Sequence, residues 1–157
     1  MMTVITGDIN SGKTTVLINH YKINRQGDGF ALPKFSIPGR AAGQKIMRLS
    51  TGEKKILSYS NGFEILNPSE AFRYKNYHFT KNGIAFANKI AADIINNNTN
   101  PVYLDEIGPV ELMKSGFYYI VLAMLDHKKD MFLVVRSTCL EDVLNLFHIH
   151  ADRIIAL

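Results

Sequence analysis

The chain has 157 residues and a mass of 17.7 kDa, the length of one domain with room for a substantial core of its own. With 46% hydrophobic and 20% charged residues, and no apolar run near the ~20 residues that span a bilayer, the composition is globular and excludes a helical membrane span. The net charge of +4 comes from dispersed basic residues, with only pairs such as Lys54-Lys55 and Lys128-Lys129, so a solvated surface is expected and a nucleic-acid partner is not.

The apolar run 2–6 predicts a buried strand, and Gly7-Asp8-Ile9-Asn10-Ser11-Gly12-Lys13-Thr14 follows it as G-x-x-x-x-G-K-T. A helix is predicted over about 13–24 from the recurrence of Val16, Leu17, Ile18 and Tyr21. Strand, glycine loop and helix in that order make a phosphate-binding loop, in which backbone N–H groups and the positive end of the helix dipole converge on a phosphate chain. Lys13 is expected at the β and γ phosphates of a nucleoside triphosphate and the Thr14 hydroxyl on Mg²⁺, with Gly7, Asp8, Ile9, Asn10, Ser11, Gly12 and Thr15 completing the cradle. Gly7 is expected to leave the strand at a φ that a β-carbon resists, and Gly12 to let the backbone approach phosphate closely.

Gln26-Gly27-Asp28-Gly29 is a turn signal that ends this unit. Beyond it, short apolar runs are broken by Pro33, Pro38-Gly39, Gly43, Gly52 and Asn61-Gly62, which predicts a hairpin-rich insertion over about 29–78. Its clearest hairpin joins 56–59 to 63–66 across Asn61-Gly62. Ile84, Phe86, Ala87, Ile90, Ala91, Ile94 and Ile95 then recur at helical spacing until the polar run 96–100. Strands are predicted over 101–106, 131–135 and 153–157, with helices around Leu122 and Leu125 and around Val143, Leu144 and Phe147. Strands alternating with helices at both ends imply a single α/β domain, a mainly parallel central sheet flanked by helices, with the antiparallel insertion after the first helix.

A phosphate loop that hydrolyses or transfers phosphate needs a carboxylate at the end of another core strand to hold the metal. Val102-Tyr103-Leu104-Asp105-Glu106 supplies one: Asp105 emerges at the strand end to hold Mg²⁺ directly or through water. Glu106, next in the chain, is the candidate catalytic carboxylate, able to orient a water in line with the γ phosphate or take its proton.

The segment Asp105-Glu106-Ile107-Gly108-Pro109-Val110-Glu111-Leu112, together with the early G-x-x-x-x-G-K-T-T, resembles the small nucleoside-triphosphatase family known as the THEP type. The resemblance covers nearly the whole chain, since Gly29-Phe30, Arg40, Gly43 and Thr51-Gly52-Glu53 also fall in family order. It implies a RecA-like phosphate-loop core and Mg²⁺-dependent hydrolysis of several nucleoside triphosphates, ATP and GTP among them, to diphosphate and phosphate. It assigns Lys13, Thr14 and Asp105 to phosphate and metal, and Glu106 to catalysis. Two departures stand out. Asn10 occupies a position where the family has another glycine, although Asn tolerates a left-handed backbone best after Gly. Ala31-Leu32-Pro33-Lys34 stands in place of an acidic pair, which bears on the substrate-side surface.

Arg136 and Arg40 are candidates for stabilising charge on the γ phosphate, Arg136 because it follows a core strand, with a surface salt bridge as its alternative. Glu111 fits either a supporting role around the metal or a helix cap. Asn88-Lys89 begins like the guanine-reading N-K-x-D motif but lacks its aspartate and lies in a helical pattern, which predicts helix surface and no guanine selectivity. His148 and His150 lack a third metal ligand and are expected as exposed helix-end residues. Cys139, the only cysteine, permits no intramolecular disulfide; with a first strand too early for a signal peptide it points to a reducing cytoplasm. A small-molecule or nucleotide kinase, and a regulatory module controlled by bound nucleotide, use the same cradle and remain the alternatives to hydrolysis. Whether the protein has a protein partner is left open by the sequence.

Overall fold

In the computed structural model, which describes residues 1–63 and 69–157, the first strand, β1 (Met2–Gly7), is buried along its whole length. It runs through the glycine loop into α1 (Lys13–Asn24), which ends on Arg25 in a left-handed conformation whose N–H reaches Tyr21 O. In chain order there follow β2 (Asp28–Ala31), β3 (Lys34–Ile37), β4 (Arg40–Arg48), β5 (Lys54–Ser60), β6 (Glu70–Tyr74) and β7 (Tyr77–Thr80). The second half comprises α2 (Lys81–Asn96), β8 (Val102–Ile107), α3 (Pro109–Leu112), α4 (Tyr118–Asp126), β9 (Met131–Arg136), α5 (Leu140–Leu146) and β10 (Arg153–Ala156).

The strands form one sheet in the order β10-β1-β9-β8-β2-β4-β5-β7-β6, with β3 beside β4. Pairing is parallel from β10 to β2 and antiparallel from β2 outward. The parallel half is the expected α/β core, and the hairpin region continues its sheet. Side chains alternate across the core strands as the pleat requires. Val4, Leu104, Leu133 and Val135 face α2, α4 and α5, whereas Ile5, Tyr103, Phe132 and Val134 face Leu17 of α1. Helix α2 forms because its apolar residues share one face and Thr80 caps it, the Thr80 Oγ1 accepting from Gly83 N at 2.9 Å.

Two elements differ from the sequence reading, and a third reading falls largely outside the described residues. Residues 29–31, read as part of the insertion, lie in the core strand β2, parallel to β8 through Gly29↔Tyr103 and Phe30↔Leu104. So short a strand beside Gly27 has no periodicity of its own, and complete burial of Phe30 and Ala31 gives it its place. The expected second strand of the Asn61-Gly62 hairpin, 63–66, lies outside the described residues except for Phe63, and β5 pairs with β4 and β7. Helix α3, a single turn after β8, has no apolar period to announce it. Arg48 ties the two halves of the sheet together, donating to Asp28 of β2 and Asp93 of α2 at 2.8 and 2.7 Å. Among the described residues no helix is long and apolar enough to cross a membrane.

Candidate active site

Three strand ends meet at the glycine loop. Strand β1 delivers Gly7, and its parallel neighbour β9 delivers Arg136 directly opposite, in the register Gly7↔Arg136. Strand β8 delivers Asp105 and Glu106 through a bulge, because the step from Leu104 to Ile107 on β8 is matched by the shorter step from Leu133 to Val135 on β9. The extra residue re-aims the two carboxylates. Asp105 points inward and is fully buried, while Glu106, at a positive φ of 52°, is turned toward a cavity. A left-handed backbone at a non-glycine residue stores roughly 1–3 kcal/mol of strain and persists only where its surroundings impose it.

Within the loop, Gly12 has φ 91°, and a β-carbon there would meet nothing within 4 Å, so conformation is what demands glycine. Gly7 differs from its sequence reading: its φ is not in the left-handed range, and glycine is favoured by close approach, since a β-carbon would come within 2.5 Å of Ser11 Oγ and 3.2 Å of Leu157 O. Asn10 takes a left-handed φ of 63°, as its chemistry allows. Lys13 donates to Asp8 O and, at 3.4 Å, to Ser11 Oγ, folded back over its own loop. Burial lowers its pKa, an effect that Glu106 opposes and Arg136 reinforces. Asp8 also accepts from Ser137 Oγ at 2.6 Å, which ties the loop to the turn after β9.

Asp105 Oδ2 accepts from Thr14 Oγ1 at 2.8 Å and from Leu32 N at 2.9 Å, and Oδ1 is buried with no partner among the described residues. Burial, with the neighbouring charge of Glu106, pushes the Asp105 carboxyl up to about 7. A buried carboxylate oxygen without a donor, beside a hydroxyl oxygen, is a setting that a hard cation completes. Mg²⁺ suits it, because that ion takes one or two protein oxygens and fills its octahedron with phosphates and water. The residues present therefore fit the metal.

Glu106 Oε2 accepts from Gln44 Nε2 of β4 at 2.8 Å. Sequence reasoning missed Gln44, which stands 62 positions from Glu106 among hairpin residues that carry no motif. It also missed Lys34, whose Nζ donates to Asn10 Oδ1, and the backbone of Leu32. The Leu32 and Lys34 contacts come from the stretch 31–34 that the sequence reading set on the substrate-side surface.

The other candidates separate. Arg136 lines the same cavity as Lys13 and Glu106, whereas Arg40 is exposed and lies over the Phe63 ring at 4.9 Å, outside that lining. Glu111 is buried with both oxygens taken, by Gly108 N at 2.9 Å and Phe117 N at 3.0 Å, so it braces the loop after β8. Burial pushes its carboxyl up to about 7 against those two donors. Glu111→Ala would strand two buried N–H groups and is expected to cost roughly 2–4 kcal/mol of stability, read as a lower urea midpoint; an unchanged midpoint would show that water replaces the carboxylate. Lys89 pairs with Asp93 at 3.3 Å within α2, His148 and His150 are exposed beyond α5, and Cys139 is buried in the core.

Residues 2–155 match the family model described as NTPase. The chain belongs to the THEP-type nucleoside-triphosphatase family. Its members include the nucleoside-triphosphatase THEP1 of Saccharolobus solfataricus, 27% identical over 142 residues that cover 85% of this chain and 75% of that protein. The crystal structure of THEP1 from the hyperthermophile Aquifex aeolicus superimposes with a TM-score of 0.70 at 19% identity, over 100% of this chain and 90% of that one. That likeness establishes the phosphate-loop NTPase fold, and family membership makes the chain a nucleoside-triphosphatase.

Proposed function

We propose that the protein hydrolyses several nucleoside triphosphates, ATP and GTP among them, to diphosphate and phosphate in an Mg²⁺-dependent reaction at the Gly7 to Thr15 loop. The observation that carries this reading is the junction of Thr14 and Asp105 at 2.8 Å, beside a cavity that Lys13, Glu106 and Arg136 share. Backbone N–H groups of the loop and the start of α1 bind the phosphates, and Lys13 moves from Asp8 O to the β and γ phosphates. Thr14 and Asp105 would hold Mg²⁺, which neutralises phosphate charge when bound. Glu106 orients a water and takes its proton as the water oxygen attacks the γ phosphorus, while the bond to the diphosphate oxygen breaks. Gln44 keeps the carboxylate aimed, and Arg136 offsets charge on the transferred group. The single buried Cys139 accords with a cytoplasmic setting.

Phosphate release from ATP, GTP, CTP and UTP, with Mg²⁺ and with a chelator, tests the proposal. Release from several nucleotides, abolished by the chelator, is expected. Base selectivity should be weak, since the loop contacts phosphates and Asn88-Lys89 lie within α2. A preference above about a hundredfold for one base, roughly 2.7 kcal/mol, would contradict it.

A further inference from the structure

The cavity on the far side of Glu106 is larger than the activation of one water requires. It holds about 310 Å³, within the ~300–1,000 Å³ of small-molecule sites. Its polar lining includes Lys13, Gln44 and Glu106, and Glu106 presents Oε2 to Gln44. An aromatic part of the lining is built by Tyr74, Tyr77 and Phe79 of the antiparallel strands and by Phe117 of the core. Tyr77 stands at the mouth, 46% exposed although it lines the cavity. A second cleft, lined by Asp8, Ile9, Arg136 and Thr138, adjoins the same loop.

We infer that this cavity binds an alcohol carried on a flat ring, which takes the γ-phosphoryl group in place of water. The flat ring follows from the aromatic wall, against which it stacks. The step balances as written. The alcohol oxygen forms a bond to the γ phosphorus, the bond from that phosphorus to the diphosphate oxygen breaks, and the hydroxyl proton passes to Glu106. The nucleoside triphosphate supplies the phosphoryl group, so the inference rests on the nucleotide site proposed above.

The test uses the full chain with Mg²⁺ and γ-labelled ATP, and adenosine, thymidine or benzyl alcohol as the probe acceptor. Labelled phosphate ester and free phosphate are separated and counted. Ester is expected from at least one of the three, and Tyr77→Ala should lower the ester-to-phosphate ratio by about tenfold because it removes a stacking ring. Ala41→Trp, at an exposed position on the cavity lining, provides a second variant that narrows the space and should lower the same ratio. Free phosphate with no ester from any probe overturns the acceptor inference and leaves hydrolysis standing. The absence of both products sinks the nucleotide site and the inference with it. Ester formation unaffected by both variants would place the acceptor elsewhere and overturn the inference. So would displacement of benzyl alcohol by Mg·ADP in saturation-transfer NMR, because the cavity would then belong to the nucleotide itself.

Discussion

Glu106→Gln is expected to leave Mg·NTP binding nearly intact while lowering hydrolysis by ~10²–10⁴-fold, the usual contribution of a general base or water-orienting group. The fold should tolerate the change, because the replacement amide oxygen can still accept from Gln44 and the side chain keeps its length. Affinity should hold or tighten, since a negative charge leaves the neighbourhood of the γ phosphate. Asp105→Asn should behave differently. Its carboxylate has one oxygen bonded to Thr14 and Leu32 and the other buried with no partner among the described residues, so the amide weakens Mg²⁺ dependence and turnover together. Single-turnover hydrolysis at saturating nucleotide, with a magnesium titration, distinguishes the two. Near-wild-type chemistry in Glu106→Gln would remove it from the catalytic role. Glu111 could not then replace it, because both its oxygens brace the backbone of Gly108 and Phe117.

Lys13→Ala should abolish productive nucleotide binding. The Lys13 ammonium sits over the loop against Asp8 O, held by contacts it can exchange for phosphate oxygens, and no other lysine lies within the loop. Its folded-back pose ties it to the loop alone, so the variant should unfold at the wild-type midpoint. Fluorescent-nucleotide titration beside a denaturation curve separates the effects. A folded variant that binds and hydrolyses like the wild type would overturn the loop's assignment.

The bracing of the loop after β8 shows how closely geometry and chemistry are joined here. Glu106 is held at a left-handed φ by a bulge at its own position and by the Glu111 carboxylate, which accepts from the N–H of Gly108, two residues after Glu106. Glu111→Ala should therefore lower turnover as well as stability, through misplacement of Glu106.

Local sequence determined much of this protein, because a phosphate loop is built from consecutive residues. Gly7 to Thr15 carry their own conformational demands, and the apolar run of β1 and the period of α1 set them between a strand and a helix. Asp105-Glu106 was legible for the same reason, a carboxylate pair closing an apolar strand. The helical period of 84–95 and the burial of 102–104 and 131–135 likewise follow from the chain's own pattern. Tertiary structure decided what no local pattern encodes. Placing β9 between β1 and β8 set Arg136 opposite Gly7 and left Arg40 over Phe63. The one-residue bulge turned Asp105 inward and Glu106 outward, a choice that depends on register against β9. Gln44 reaches Glu106 only because β2 joins the antiparallel strands to the parallel core, and β2 is four residues whose stability lies in the burial of Phe30 and Ala31 and in pairing with β8 and β4. Strand pairing is a contact between distant segments, so its energy is written in both partners at once and in neither alone.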